Sequence, residues 1–349
     1  MNSHHSGRKT LIFAVSLGSL IGAAHAHDLH PEVMTEPATE PYLTGSGPHR
    51  FETAPNWGEI PESDKIAFHG GVAVASDGRV FVGSESQQAG ILVFDLDGEQ
   101  IGQWGPGTQN AHGLSLIKDT DGKEHLYAAH THAKKVVKYD LDGKALQTIN
   151  HDPDNGVNLK GVTAVTALPS GEVFASTGYG ANEVFKFDAD GKFVKKAGRK
   201  GNAIQDFKNP HGMALDTRYK EPRLLIADRE KGRLVHWTTD LEFVGVHATG
   251  LRRPCTVAIR GDQSAVAELQ GRVTLLNKQG DAIALLGDNP NRELWAKFKV
   301  PRSQMYHGVF TAPHGLAFDN DGNIIVQDWN VLGRLTKLDP VPNPKPTKK

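Results

Sequence analysis

A short pattern that recurs six times constrains this chain more than any other feature. Each copy opens on a polar or small residue, passes through a glycine or another small residue and continues into a short apolar run. The openings are at His69-Gly70, His112-Gly113, Lys160-Gly161, His211-Gly212, Pro254-Cys255 and His314-Gly315. They are spaced by 43, 48, 51, 43 and 60 residues. Self-similarity at such a period is typical of propellers and solenoids.

Turn residues within the copies favour strands over helices. Asp-Gly or Ser-Gly follows the first apolar run at Asp77-Gly78, Asp121-Gly122, Ser170-Gly171 and Asp321-Gly322. Such pairs supply the positive φ that tight hairpins need. The runs are short and rich in Val, Ile and Phe, which argues against the alternative of stacked helical repeats. We therefore predict an all-β chain in which six sheets of about four strands form a six-bladed β-propeller.

The first residues are predicted to be a signal peptide, residues 1–26. Arg8 and Lys9 precede an apolar run over 11–24, and Ala24-His25-Ala26 fits a cleavage site. A membrane anchor is the alternative, but the run is short for a span of about 20 residues. We expect a secreted or periplasmic protein without a membrane partner.

The remaining chain divides into three predicted parts. Residues 27–56 contain five prolines and form an extended arm, part of which, near residues 50–53, is available to pair with the last blade. Residues 57–340 form the propeller, and 341–349 form a tail rich in Pro and Lys. The loop over 288–311 is the longest connection and is predicted to be a lid or a packed surface loop.

Charge and cysteine content limit the partners. The net charge is −1 with scattered basic residues, so no nucleic-acid partner is expected. The single cysteine, Cys255, excludes a disulfide within the chain. We expect a monomer that binds a small molecule or a peptide.

Three histidines open alternate copies. In a propeller the innermost strands begin around one mouth of the axial channel, so His112, His211 and His314 are predicted to converge as a tripod. Three imidazoles and one open position are typical of catalytic zinc, and zinc or a similar divalent metal is predicted. His69 is either a fourth ligand, a hydrogen-bond partner of a ligand, or a channel-lining residue. The alternative to metal binding is that these histidines have no special role, because a polar residue before glycine is ordinary in such repeats. His130 and His132 are interpreted as surface residues.

Two further residues are candidates for catalysis. When the copies are aligned on their third strands, Thr131, Tyr179 and Arg229 occupy one position, the loop after the second strand, which faces the same mouth. Tyr179 is a candidate base, although the unperturbed pKa of a tyrosine, about 10, is high. Arg229 or a metal ion would lower that pKa, or Arg229 would bind a substrate carboxylate. The alternatives are loop packing for Tyr179 and an ion pair with Asp228 or Glu230 for Arg229.

The copies resemble NHL repeats, and residues 105–335 resemble the lyase domain of peptidylglycine α-amidating enzymes. The resemblance rests on Ala111-His112-Gly113-Leu114-Ser115, on Gly178-Tyr179-Gly180, on Pro210-His211-Gly212 with the following Ala227-Asp228-Arg229-Glu230, and on Pro313-His314-Gly315. It implies a six-bladed propeller that holds zinc through His112, His211 and His314. It also implies Tyr179 as base, Arg229 as its support, and cleavage of peptidyl-α-hydroxyglycine to an amide and glyoxylate.

The sequence departs from that family at several positions. An arginine that the family has on the first blade is absent, since the region reads Val82-Gly83-Ser84-Glu85. The acidic residue after the last histidine, a structural calcium ligand in the family, is Gly315, which argues against a structural calcium. Three functions therefore remain open: a metal-dependent lyase of the amidating type, a related propeller hydrolase or lactonase, and a non-catalytic propeller that binds a protein or carbohydrate.

Overall fold

A computed structural model describes residues 32–60 and 66–342. The predicted signal peptide, and all of the predicted tail except its first two residues, lie outside the described residues. The described chain holds 25 strands and four one-turn 3-10 helices, at Pro153–Asn155, Arg229–Lys231, Arg292–Leu294 and Arg302–Gln304. Within the described ranges, no helix has the length and apolar character needed to cross a membrane.

The strands form six sheets. In chain order they are Leu43–Ser46 (β1), His49–Thr53 (β2), Phe68–Val74 (β3), Val80–Ser84 (β4), Ile91–Phe94 (β5), Gln100–Gln103 (β6), Ala111–Lys118 (β7), Glu124–His130 (β8), Lys135–Tyr139 (β9), Ala145–Asn150 (β10), Ala164–Ala167 (β11), Val173–Ser176 (β12), Val184–Phe187 (β13), Phe193–Ala197 (β14), Pro210–Asp216 (β15), Arg223–Asp228 (β16), Arg233–Thr238 (β17), Phe243–Ala248 (β18), Pro254–Arg260 (β19), Gln263–Glu268 (β20), Arg272–Leu276 (β21), Ala282–Leu286 (β22), Pro313–Phe318 (β23), Ile324–Asp328 (β24) and Arg334–Pro340 (β25).

Each sheet is one blade of a six-bladed propeller, which confirms the predicted fold class. Blades 1 to 5 are the antiparallel sheets β3–β6, β7–β10, β11–β14, β15–β18 and β19–β22. The innermost strand of each blade contacts that of the next, and β23 of blade 6 contacts β3 of blade 1, which closes the ring. A buried apolar cluster lies between each pair of neighbouring blades.

The arm supplies the missing strand of blade 6. Strand β2 pairs antiparallel with β25, with Phe51 opposite Pro340 and Thr53 opposite Leu338, and β1 adds a fifth strand. Phe51 is buried in the cluster between blades 5 and 6. The pairing predicted for residues 50–53 is therefore confirmed, and it covers the edge that β25 would otherwise expose.

The glycine that follows each tripod histidine is required by the close approach of the innermost strands. A Cβ atom added to Gly113 would lie 2.6 Å from the Thr163 carbonyl oxygen of the next blade, and one added to Gly315 would lie 2.6 Å from the Gly70 carbonyl oxygen. No real Cβ atom sits so close to a backbone oxygen. The recurrent His-Gly pairs thus combine a steric requirement at glycine with a separate role for histidine.

Candidate active site

One residue at or near the start of each innermost strand occupies an equivalent position around the channel. We call these six residues the axial ring; in blade order they are Gly70, His112, Thr163, His211, Cys255 and His314. In four blades the ladder pairs the residues on either side but passes over the ring residue. Such a bulge redirects the bulged side chain, and here it aims the imidazoles at the axis.

The axial ring corrects three predicted copies. The fifth copy was predicted to open at Pro254, but the ring residue of blade 5 is Cys255, one residue later. The third copy was predicted to open at Lys160-Gly161, but the ring residue of blade 3 is Thr163, three residues later. Gly161 instead has a φ of 70° and its carbonyl oxygen accepts the Tyr179 backbone N–H at 3.1 Å. In blade 1 the ring residue is Gly70, so His69 lies one residue outside the ring.

His112, His211 and His314 form a near-equilateral group. Their ring centroids are 4.7, 4.7 and 4.9 Å apart, and all three side chains are buried. Burial holds the pKa of each well below its usual range, so the imidazoles are neutral. The structure thus brings together the three residues predicted to form a tripod.

The next blade fixes the tautomer of each ring histidine. The Nδ1 atoms of His112, His211 and His314 lie 2.7, 3.0 and 3.2 Å from the carbonyl oxygens of Thr163, Cys255 and Gly70. A carbonyl oxygen only accepts, so each Nδ1 donates its proton. Each Nε2 therefore carries a free lone pair on the axial side, the arrangement found in metal-binding histidines.

The three Nε2 atoms have fewer hydrogen-bond donors near them than they have lone pairs to accept with. His314 Nε2 is buried and has no hydrogen-bond partner among the described residues. The Nε2 atoms of His112 and His211 lie 3.1 and 2.9 Å from the same Tyr179 hydroxyl, which has one proton to donate. Three neutral imidazole nitrogens that share one proton fit a divalent cation of the zinc type.

His69 adds a fourth imidazole above the ring. Its Nδ1 donates to Glu85 Oε1 at 3.0 Å, and its Nε2 lies 3.2 Å from the Tyr179 hydroxyl. The ligand atoms of His69, His112 and His314 lie within 4.8 Å of one another, as do those of His211, Cys255 and His314. Burial raises the pKa of the Cys255 thiol to about 11, so the thiol is protonated at neutral pH when no metal ion is bound.

Tyr179 and Arg229 lie over the ring as predicted from the aligned copies. Arg229 Nη1 donates to the Tyr179 hydroxyl at 3.3 Å, while its Nε donates to Glu230 at 2.9 Å. The ion pair and the tyrosine contact therefore coexist. Burial raises the pKa of Tyr179 to about 12, while Arg229 acts on this pKa in the predicted, opposite direction.

The loops after the second strands form a second ring above the first. Its members are Glu85, Thr131, Tyr179, Arg229, Leu269 and Trp329. Each backbone N–H bonds to a carbonyl oxygen just before the first strand of its own blade. This common bond confirms the shared position of Thr131, Tyr179 and Arg229, and places Leu269 and Trp329 beside them.

A cavity of about 210 Å³ lies between the two rings. It is lined by His69, Tyr179, Arg229, Arg253, Leu269, Ala296, His314 and Trp329. Ala296 comes from the 288–311 loop, whose Phe298 stacks on Trp329 with ring centroids 5.0 Å apart. The loop therefore packs on the site and contributes to its wall.

Sequence reasoning missed two features of this region. Arg253 lines the cavity. It stands two residues before the ring residue of its blade, and only a comparison of that position across the blades would have singled it out. His130 was interpreted as a surface residue, but it is fully buried and bonds Tyr139 at 2.9 Å. His132 is exposed, as expected.

Comparison with known proteins gives a similarity in sequence and a similarity in fold. No protein-family model matches the chain. The peptidylglycine alpha-amidating monooxygenase of Rattus norvegicus is 28% identical over 234 residues, 62% of this chain and 22% of that protein. The corresponding enzyme of Mus musculus is 27% identical over the same length. The chain thus spans about a fifth of the length of these curated relatives.

Solved structures share the fold at lower identity. A streptogramin B lyase structure superposes with a TM-score of 0.54 and 15% identity, over 86% of this chain and 97% of that one. A gluconolactonase from Xanthomonas campestris superposes with a TM-score of 0.56 and 12% identity, over 87% and 99%. The chain is therefore a six-bladed β-propeller with distant sequence similarity to peptidylglycine α-amidating enzymes.

Proposed function

We propose that this chain is an exported, metal-dependent lyase that cleaves peptidyl-α-hydroxyglycine to a peptide amide and glyoxylate. The observation that carries the proposal is the convergence of three neutral imidazoles, two of which contact one tyrosine hydroxyl through Nε2 while the Nε2 of the third has no partner among the described residues, beside an arginine. The sequence similarity to amidating enzymes supports the substrate class. Residues 1–26, with the features of a signal peptide, support export to the periplasm or the exterior.

His112, His211 and His314 would hold the metal, with zinc favoured by three nitrogen donors and an open side toward the cavity. The ion would supply Lewis-acid chemistry that favours the ionised form of a substrate hydroxyl. His69 lies beside this group, and its bond to Glu85 fixes its Nε2 toward the Tyr179 hydroxyl.

Tyr179 is the residue placed to move the proton. In its phenolate form, the Tyr179 oxygen accepts the proton of the substrate α-hydroxyl, and the C–N bond breaks as the C=O bond of glyoxylate forms. The Tyr179 hydroxyl then passes that proton to the leaving nitrogen, which restores the phenolate. Reactants and products balance without an external oxidant or water. Arg229, 3.3 Å from the hydroxyl, favours the phenolate form that the first transfer needs.

The direct test is glyoxylate release from a peptidyl-α-hydroxyglycine by zinc-loaded protein. We expect glyoxylate and amide in equal amounts, with loss of release after chelation and recovery after zinc is restored. Protein that holds metal but releases no glyoxylate above the uncatalysed rate would contradict the proposal. Hydrolysis of a lactone by such a preparation would instead favour the hydrolase alternative.

A further inference from the structure

Arg253 occupies a backbone position that suits other residue types. Its carbonyl oxygen accepts the Leu269 N–H at 3.0 Å, as the matching residue does in each neighbouring blade. In blades 2, 3 and 4 the matching residues are Asn110, Gly161 and Asn209, all with positive φ. Arg253 also has a positive φ, 56°, which costs a residue other than glycine on the order of 1 kcal/mol. The backbone conformation therefore disfavours arginine here, and a function of its side chain would explain why this residue type is present.

Glu230 holds the Arg253 side chain beside Arg229. Its carboxylate accepts from Arg253 Nη2 at 2.6 Å and Nε at 3.2 Å, and from Arg229 Nε at 2.9 Å. Both guanidiniums are thus fixed by one carboxylate, which leaves one net positive charge. The bonds of Arg253 use Nε and Nη2, so the two N–H groups on Nη1 remain for another acceptor.

The cavity has one cationic wall and one apolar wall. Arg229 and Arg253 form the first, and Leu269, Ala296 and Trp329 form the second. No carboxylate of the described chain lines the cavity. A volume of about 210 Å³ accommodates a small acid or the end of a longer molecule, and a guanidinium that is not neutralised prefers a carboxylate.

We propose that Arg253 binds the carboxylate of the substrate and so determines the specificity of this site for acids. The inference deepens the lyase function proposed above and rests on it for the identity of the substrate. It also accounts for the first blade, where Glu85 stands in the region of the family's missing arginine and is paired with His69. The positive charge that blade 1 lacks is supplied by blade 5.

Binding of a non-reacting pair of probes tests the proposal without turnover. Hydroxyacetate carries the carboxylate, and hydroxyacetamide is its neutral counterpart of nearly equal size. In calorimetric titrations of zinc-loaded protein, we expect the wild type to prefer hydroxyacetate. Arg253→Gln should weaken hydroxyacetate binding about 10- to 100-fold, the effect of losing a hydrogen bond to a charged group, and should leave hydroxyacetamide binding unchanged.

Two further variants separate recognition from folding. Arg253→Lys keeps the charge but not the planar fork, so it should restore part of the preference. Arg252→Gln is the matched control, because Arg252 pairs with Asp288 and packs on Trp295 instead of lining the cavity. It should bind both probes as the wild type does.

The outcomes distinguish this proposal from the lyase assignment. Equal binding of the two probes by the wild type would overturn it, as would an unchanged preference in Arg253→Gln. An equal loss of both probes in that variant would show a structural role and would also overturn it. A wild type that prefers hydroxyacetate but releases no glyoxylate would support the role of Arg253 and reject the lyase function.

Discussion

The two mouths of the axial channel are built from the same six strands but carry different chemistry. One mouth holds a cavity of about 210 Å³ lined by two imidazoles, Tyr179 and two arginines, with the imidazoles of His112 and His211 beside them. The other holds a cavity of about 240 Å³ lined mainly by apolar side chains, among them Val74, Leu215 and Phe318. A separate cavity beside His112 and His211 has a volume of about 20 Å³, room for one water at most.

The difference shows which part of the repeat is structural. At the apolar mouth the side chains follow the alternation that any packed strand requires. At the other mouth, bulges and loops release the side chains from the sheet, so histidine, tyrosine and arginine are possible there without loss of core packing.

The largest effect is expected from His211→Ala. It removes one of three imidazoles whose ring centroids lie within 4.9 Å of one another, so metal binding and glyoxylate release should both fall to background. His132→Ala, at an exposed histidine, is the matched control and should behave as wild type. A His211→Ala protein that releases glyoxylate at the wild-type rate would contradict the claim that the mouth with the histidines carries the reaction.

Tyr179→Phe should have a smaller but still large effect. It keeps the ring and removes the hydroxyl that contacts His112, His211 and Arg229. The rate of glyoxylate release should fall about 10²- to 10⁴-fold, as on loss of a general base, with metal content and melting temperature retained. Unchanged turnover would mean that another group moves the proton.

Acid should destabilise the protein through its buried histidines. Burial lowers the pKa of His130 to about 4, against about 6.5 in the unfolded chain. Between those values the unfolded chain binds the proton and the folded one does not, so stability falls as the pH drops from 6.5 to 4. Each such histidine contributes up to about 1.4 kcal/mol per pH unit.

Denaturant unfolding of chelator-treated protein at pH 7 and pH 5 measures this effect. His130→Asn should reduce the loss of unfolding free energy between the two pH values, and His132→Asn, at the exposed site, should not. Equal losses in wild type and His130→Asn would show that His130 is not held neutral by burial.

The smallest effect is expected at the apolar mouth. Val74→Thr replaces one methyl group with a hydroxyl on a partly exposed side chain of β3. Metal content and turnover should match those of the wild type, and the free energy of unfolding should change by no more than about 0.5 kcal/mol. A marked loss of turnover would show that this mouth also serves the reaction.

The fold and the ring histidines were predictable because both follow from the repeat. His-Gly pairs mark the starts of innermost strands, where close approach of the next blade leaves room only for glycine after the histidine. Because three of the pairs occur in every second copy, they place three imidazoles on alternate blades. The start of the third copy was predicted three residues too early, because Lys160-Gly161-Val162 matches the repeat pattern although Gly161 lies in a turn. The position of the Arg253 side chain depends on its contact with Glu230 of the neighbouring blade, and buried His130 contacts Tyr139 of its own blade. No local pattern encodes either contact.

The central claim is that three converging lone pairs hold a metal ion, and elemental analysis tests it most directly. Protein purified without chelator and without added metal should contain close to one divalent ion per chain, most of it zinc. The His132→Ala control should contain the same amount, and His211→Ala should contain almost none. Wild-type protein that contains no metal, and binds none when zinc is supplied, would contradict the account.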